Sequence, residues 1–161
     1  MEPRFETIVP KKLVGKRLRM SVQENRSFEL WHSFMTRRKE ITNSVTTDLI
    51  SMQVYDHLSD FDHYNPDLEF EKWAATEVAG FDSVPQGMEC YTLEGGLYAV
   101  FNYRGTPETF PAMLQHIFGT WLPGSGYALD HREHFEILGD KYKRDDPASE
   151  EEVWIPVRKK T

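Results

Sequence analysis

The sequence is poor in the features that most directly announce a function. It holds one cysteine, Cys90, among 161 residues, so no internal disulfide can form and a reducing compartment is expected. No apolar run approaches the length that crosses a bilayer, and the opening MEPRFETIVPKK is too polar for a secretory signal. A cytoplasmic protein without membrane contact is therefore expected. Catalytic and metal motifs are missing too. There is no nucleophile elbow or Ser-His-Asp pattern. Of the six histidines, His131 and His134 in DHREH lack the helical spacing of a metalloprotease site. Surface positions are expected for the histidines, with no metal and no cofactor. Gly105-Thr106-Pro107 reads as a turn and helix cap, not a phosphate loop. Positive charge is short as well: the net charge of -7 argues against a broad nucleic-acid surface, and direct DNA binding is not expected.

What is present is an ordinary globular balance, 39% hydrophobic and 28% charged, with a high aromatic share of 13%. The length suits one domain, residues 1–161, with a sizeable core. Cys90, between Glu89 and Tyr91, reads as a small core or strand residue and not as a nucleophile.

KKLVGKRLRMSV alternates, with Val14, Leu18 and Met20 on one parity and Arg17 and Arg19 on the other, which predicts a half-buried strand with a solvated basic face. A helix follows. Ser27 is its expected N-cap, and Phe28, Trp31, Phe34 and Met35 form its apolar stripe. DLISMQVYD and FEKWAATEV read as strands on either side of a polar loop. MECYTLEGGLYAVFNYRG reads as two strands joined in a hairpin at Glu94-Gly95-Gly96. A second helix is expected after Thr106 and Pro107, burying Phe110, Met113, Leu114, Ile117 and Trp121. The strand HFEIL, the polar loop KRDDPASEE and the strand VWIPV complete the chain.

The two halves, about 5–80 and 84–159, share one order of elements: strand, helix, strand, loop, strand. EKWAATEV resembles EVWIPVRK, so Trp73 parallels Trp154. This predicts an internal duplication: an α+β antiparallel sheet of two like units with approximate two-fold symmetry, two main helices and a cleft between the halves.

VPQGMECYTLEGGLYAVFNYRG, then FPAMLQHIFGTWLPGSGY, HFEILGDKY and the closing EEVWIPV together resemble the GyrI-like small-molecule-binding family. That family includes the effector-binding domains of AraC- and MerR-type multidrug regulators. The likeness is good from about Val84 onward and weaker before it. It implies a duplicated strand-helix-strand-strand fold and amphipathic, aromatic or cationic ligands held between the halves. It also implies an acid on the strand after the second helix, which here is Glu136. Family members often place a tyrosine two residues further on, where this chain has Leu138; the next tyrosine is Tyr142. With the repeat using nearly the whole chain, a stand-alone binding domain without a DNA-binding domain is expected.

Alternation puts Glu136 on one strand face with His134 and Leu138, and Phe135 and Ile137 on the other. A buried carboxylate either holds a proton or meets a cation, which suits a receptor for cationic amphiphiles; the alternative is a surface Glu paired across the sheet. The expected ligand-binding set is Glu136, Trp31, Trp73, Tyr98, Phe101, Trp121, Tyr142 and Trp154. Tyr98 and Phe101 lie on opposite faces of one strand, so at most one of those faces lines the cleft. Three functions compete: a small-molecule receptor; a hydrolase of electrophilic small molecules with Glu136 as general base and Tyr98 or Tyr142 assisting; and a protein-interaction module that inhibits DNA gyrase.

Overall fold

The computed structural model describes residues 2–161. Its strands are β1 (Arg4–Ile8), β2 (Lys11–Met20), β3 (Leu49–Val54), β4 (Phe70–Glu77), β5 (Glu89–Leu93), β6 (Gly96–Arg104), β7 (Tyr127–Leu129), β8 (His134–Leu138) and β9 (Glu150–Lys159). Helix α1 (Ser27–Met35) follows β2, and α2 (Phe110–His116) follows β6, running on through a π-helical segment, Ile117–Trp121. All pairings are antiparallel. The strand order is β1-β6-β9-β8-β3-β4-β2-β5, with β7 on the end of β9. This is the α+β sheet with two main helices that the sequence predicts.

The order reads the same from either end when β1, β2, β3 and β4 are exchanged with β5, β6, β8 and β9. At the centre Met52 of β3 faces Phe135 of β8. Met52 is in register with Trp73 of β4, and Phe135 with Trp154 of β9. The two tryptophans therefore hold equivalent places about the central strand pair.

The expected β5–β6 hairpin does not form: β5 pairs with β2, while β6 pairs with β1 and β9. The Glu94–Gly95 connection is a crossover between opposite ends of the sheet, and Val9–Pro10 is its counterpart between β1 and β2. Either connection reaches about 11 Å at most. In a flat sheet of this order β1 and β2 would lie about 29 Å apart. The sheet must therefore curl until its ends meet. The two crossovers touch there: a Cβ on Gly95, whose φ is +85°, would come within 2.7 Å of the Ile8 carbonyl oxygen. A turn-permissive Glu-Gly-Gly reads as a hairpin locally, but the glycine is needed for this close backbone approach.

The concave interior of the curl is one core, containing Leu13, Met52, Trp73, Tyr98, Phe135 and Trp154. The β7–β8 loop seals it. Arg132 lies over the Tyr98 ring at 4.7 Å and donates to the Gly95 and Leu97 carbonyls. Buried Glu133 accepts from Tyr91 Oη at 2.7 Å. The convex face carries the helices. Leu30 and Phe34 of α1 pack with Val14 and Ala74, and Met113 of α2 and Ile117 of its π-helical continuation pack with Ala99, Val153 and Ile155.

The α1 stripe departs from expectation. The residues it buries against the sheet are Leu30 and Phe34, while Phe28 and Met35 are 71% and 45% exposed. Ser27 is the first helical residue, following Arg26 at the N-cap, and makes no capping bond. Cys90 lies on strand β5 but is exposed, not core. Arg17 and Arg19 are exposed as expected, and their charge is met by Glu89, Glu71, Asp56 and Glu69. Among the described residues no helix is long and apolar enough to cross a membrane.

Candidate functional site

Because α1 covers β2 and β4 while α2 covers β6 and β9, the central strands β3 and β8 are left uncovered between the helices. This opening is a cavity of about 720 Å³, in the size range of small-molecule sites. Phe28, Trp31 and Met35 of α1 form one wall, and Phe110, Leu114 and Phe118 the other. The apolar residues left exposed on α1 thus line the cavity. At one end Phe61 stacks on His134 at 5.0 Å and meets Phe118 at 5.4 Å, with Tyr55 edge-on to both Phe61 and His134.

The floor is polar. Glu136 projects from β8, opposite Ser51 on β3. Gln53 Nε2 donates to its Oε1 at 3.2 Å. Burial pushes the Glu136 carboxyl up to about 7, against the opposing pull of Lys72, Gln53 and Ser51. Glu151 of β9 shares the cavity, and its carboxyl is also pushed up to about 7, by burial and then by the Glu136 charge, with Lys72 opposing. Lys72 of β4 is held below the usual lysine range by burial, with Glu136 and Glu151 opposing the shift. His134 is buried and pushed down to about 3 by desolvation, then by Arg132 and His131, so it is neutral at physiological pH. The site is an aromatic and aliphatic trough with acid on its floor, able to surround an apolar body and neutralise a positive charge. Among the described residues no cluster of three or more His, Cys, Asp or Glu is placed to hold a metal ion.

The structure brings three of the sequence-derived candidates to this cavity: Glu136, Trp31 and Tyr142. Five lie elsewhere. Trp73, Trp154 and Tyr98 belong to the concave core. Trp73 packs on Tyr91 and Trp154 stacks on Phe135, while Tyr98 Oη donates to the Glu133 carbonyl. Their strand parity opposes that of the cavity floor, and the curl gives that face a core of its own. Tyr98 therefore cannot assist Glu136 in catalysis. Phe101 is on the helix side but lies sealed beneath α2, edge-on to Trp121. Trp121 packs on Phe5 and Tyr127 and borders a separate shallow depression.

Sequence reading missed Glu151, Lys72, Gln53 and His134. The sequence pattern puts Glu151 in the polar loop KRDDPASEE, but β9 begins at Glu150. Had the strand been extended, its parity with Val153, Ile155 and Val157 would have marked it. Lys72 carries the same signal with Phe70 and Ala74 on β4. His134 was expected at the surface, yet parity with Glu136 put it on the same face.

Comparison with known proteins agrees with this fold. The model of the GyrI-like small molecule binding domain matches residues 1–158. A DNA gyrase inhibitor of Edwardsiella piscicida is 36% identical over 88 residues, 53% of this chain and 54% of that protein, so the match spans about half of each. Several solved structures share the fold. SAV2435 bound to tetraphenylphosphonium has a TM-score of 0.77 at 13% identity, over 98% of this chain and 94% of that one. EcmrR in its DNA complex has a TM-score of 0.73 at 14% identity, over 99% of this chain and 58% of that one. With the family model spanning nearly every residue, the chain belongs to the GyrI-like small-molecule-binding family.

Proposed function

We propose that the cavity binds amphipathic aromatic molecules carrying a positive charge. The observation that carries this reading is Glu136, a carboxyl held on the floor of an aromatic trough and pushed up to about 7 by burial. A cation arriving beside it removes the cost of its ionisation, and the rings of Trp31, Phe28 and Phe110 supply apolar area and π-faces. The tetraphenylphosphonium bound to SAV2435 shows that the fold can hold such a ligand in another protein. Ligand binding, not DNA binding, also suits the basic strand face, since Arg17 and Arg19 are already engaged by carboxylates.

The test is titration with tetraphenylphosphonium and with neutral triphenylphosphine oxide, followed by tryptophan fluorescence. Glu136→Gln is expected to weaken the cation about tenfold or more and to leave the neutral compound unchanged. Equal weakening of both would remove Glu136 as the charge partner.

A second reading, hydrolysis of an electrophilic ligand in the same cavity, is favoured by the Glu136 titration near neutrality, where a general base is effective. Turnover that stops in Glu136→Gln while binding persists would establish it. The likeness to a gyrase inhibitor concerns protein partners, and a pull-down with gyrase at moderate salt tests that separately.

A further inference from the structure

The cavity floor holds a charge that a monocationic ligand leaves unused. Lys72 projects into the cavity from β4, and its ammonium donates to Ser27 Oγ at 2.9 Å. Among the described residues it forms no ion pair with a carboxylate; Glu136 and Glu151 act on it only through space. An ammonium has three N–H donors, so one hydroxyl leaves this half-buried group with donors free to face the cavity. Gln53 accounts for the separation. It is the register partner of Lys72 on β3 and donates to Glu136 from there, standing between the two charges. Glu136 and Lys72 leave strands on either side of β3, about 10 Å apart laterally.

A monocation lodged against Glu136 would still share the cavity with this second cation, and an anion lodged against Lys72 would face two carboxylates. One ligand satisfies every group. We propose that the preferred ligand is a zwitterionic amphiphile, with its cationic end at Glu136 and Glu151, its anionic group on Lys72, and an apolar body between the helix walls. This rests on the reading of the cavity as the ligand site and narrows the ligand class within it. Lys72 is then the specificity-determining residue, and Ser27 positions its ammonium.

The probes are a rhodamine free acid, which is zwitterionic, and its ethyl ester, a monocation of nearly the same shape, titrated by fluorescence anisotropy. The wild-type protein is expected to bind the free acid about tenfold more tightly than the ester. Lys72→Met should weaken the acid about tenfold relative to the ester and so abolish the preference, while Lys72→Arg should keep the preference for the acid. Melting temperatures confirm that both variants fold; should Lys72→Met fail to, the wild-type preference and Lys72→Arg decide. An ester that binds wild type as well as the acid, or a Lys72→Met variant that loses both alike, overturns the proposal. If the ester binds in a Glu136-dependent way without any preference for the acid, the cavity reading stands and the zwitterion fails. If neither probe binds the wild type, both readings fail.

Discussion

Gln53 Nε2 donates to Glu136 Oε1 at 3.2 Å across the central strand pair, while Lys72, in register beside Gln53, turns away to Ser27 on α1. The acid at the middle of the fold is thus supported by a neutral amide, and the half-buried Lys72 is bonded to a hydroxyl instead of to the acid. Burial pushes the Glu136 carboxyl up to about 7, so it is only part-ionised near neutral pH until a ligand supplies a positive charge.

The first prediction concerns stability against pH. The Glu136 carboxyl moves from 4.5 in its free form to about 7 in the fold. The folded state therefore holds a proton that the unfolded chain has released. By linkage the penalty is absent below about pH 4.5, builds as pH rises toward 7, and is constant above it. Glu151 shifts in the same direction. Glu136→Gln is expected to raise the melting temperature at about pH 8, by about 3 °C for each kcal/mol recovered, and to leave it unchanged at about pH 4. Calorimetry at the two pH values measures this; an equal shift at both would show that Glu136 is not buried as described.

The same titration governs binding. Affinity for tetraphenylphosphonium should rise as pH increases through about 7, while affinity for triphenylphosphine oxide stays flat. The slope for the cation should vanish in Glu136→Gln. A cation affinity independent of pH would mean that another group supplies the charge.

Trp31 and Trp154 should behave as opposites. Trp31 lines the cavity, and Trp154 is stacked on Phe135 in the concave core. Trp154→Ala is expected to cost about 3–5 kcal/mol of stability, read by urea denaturation. Trp31→Ala should cost much less and instead weaken cationic and neutral ligands alike, by the loss of wall area. Stability costs of similar size would contradict the separation of the two faces.

Tyr98→Phe should leave binding and any turnover unchanged. It removes the hydroxyl that donates to the Glu133 carbonyl at 2.9 Å, at a stability cost of about 1 kcal/mol. A loss of ligand affinity at constant stability would place Tyr98 in the site after all.

Gly95→Ala should destabilise the fold where a hairpin glycine would tolerate change better. Its added Cβ meets the Ile8 carbonyl oxygen at 2.7 Å and the Val9 carbonyl carbon at 2.9 Å, backbone atoms that cannot rotate aside. A cost above about 1 kcal/mol is expected, again by urea denaturation. A neutral result would mean that the two crossovers are not in contact.

Alternation with a period of two was enough, from the sequence alone, to set Glu136 on one strand face with His134 and Leu138 and apart from Phe135. The pairing of Trp73 with Trp154 was legible for the same reason: equivalent positions keep equivalent patterns. Those features depend on neighbours along the chain. The choice of partner strand does not. Glu-Gly-Gly permits a tight turn whether the strands it joins pair with each other or with distant ones, and only the curl of the whole sheet made it a crossover. That curl also gave the concave face its own core, which took Trp73, Trp154 and Tyr98 out of reach of a ligand. On α1 the apolar residues were readable but their destinations were not, because Leu30 and Phe34 meet the sheet while Phe28, Trp31 and Met35 meet a space that exists only once α2 stands opposite. Periodicity determined which way each side chain points; what it points at, core or cavity, was decided by the packing of elements far apart in sequence.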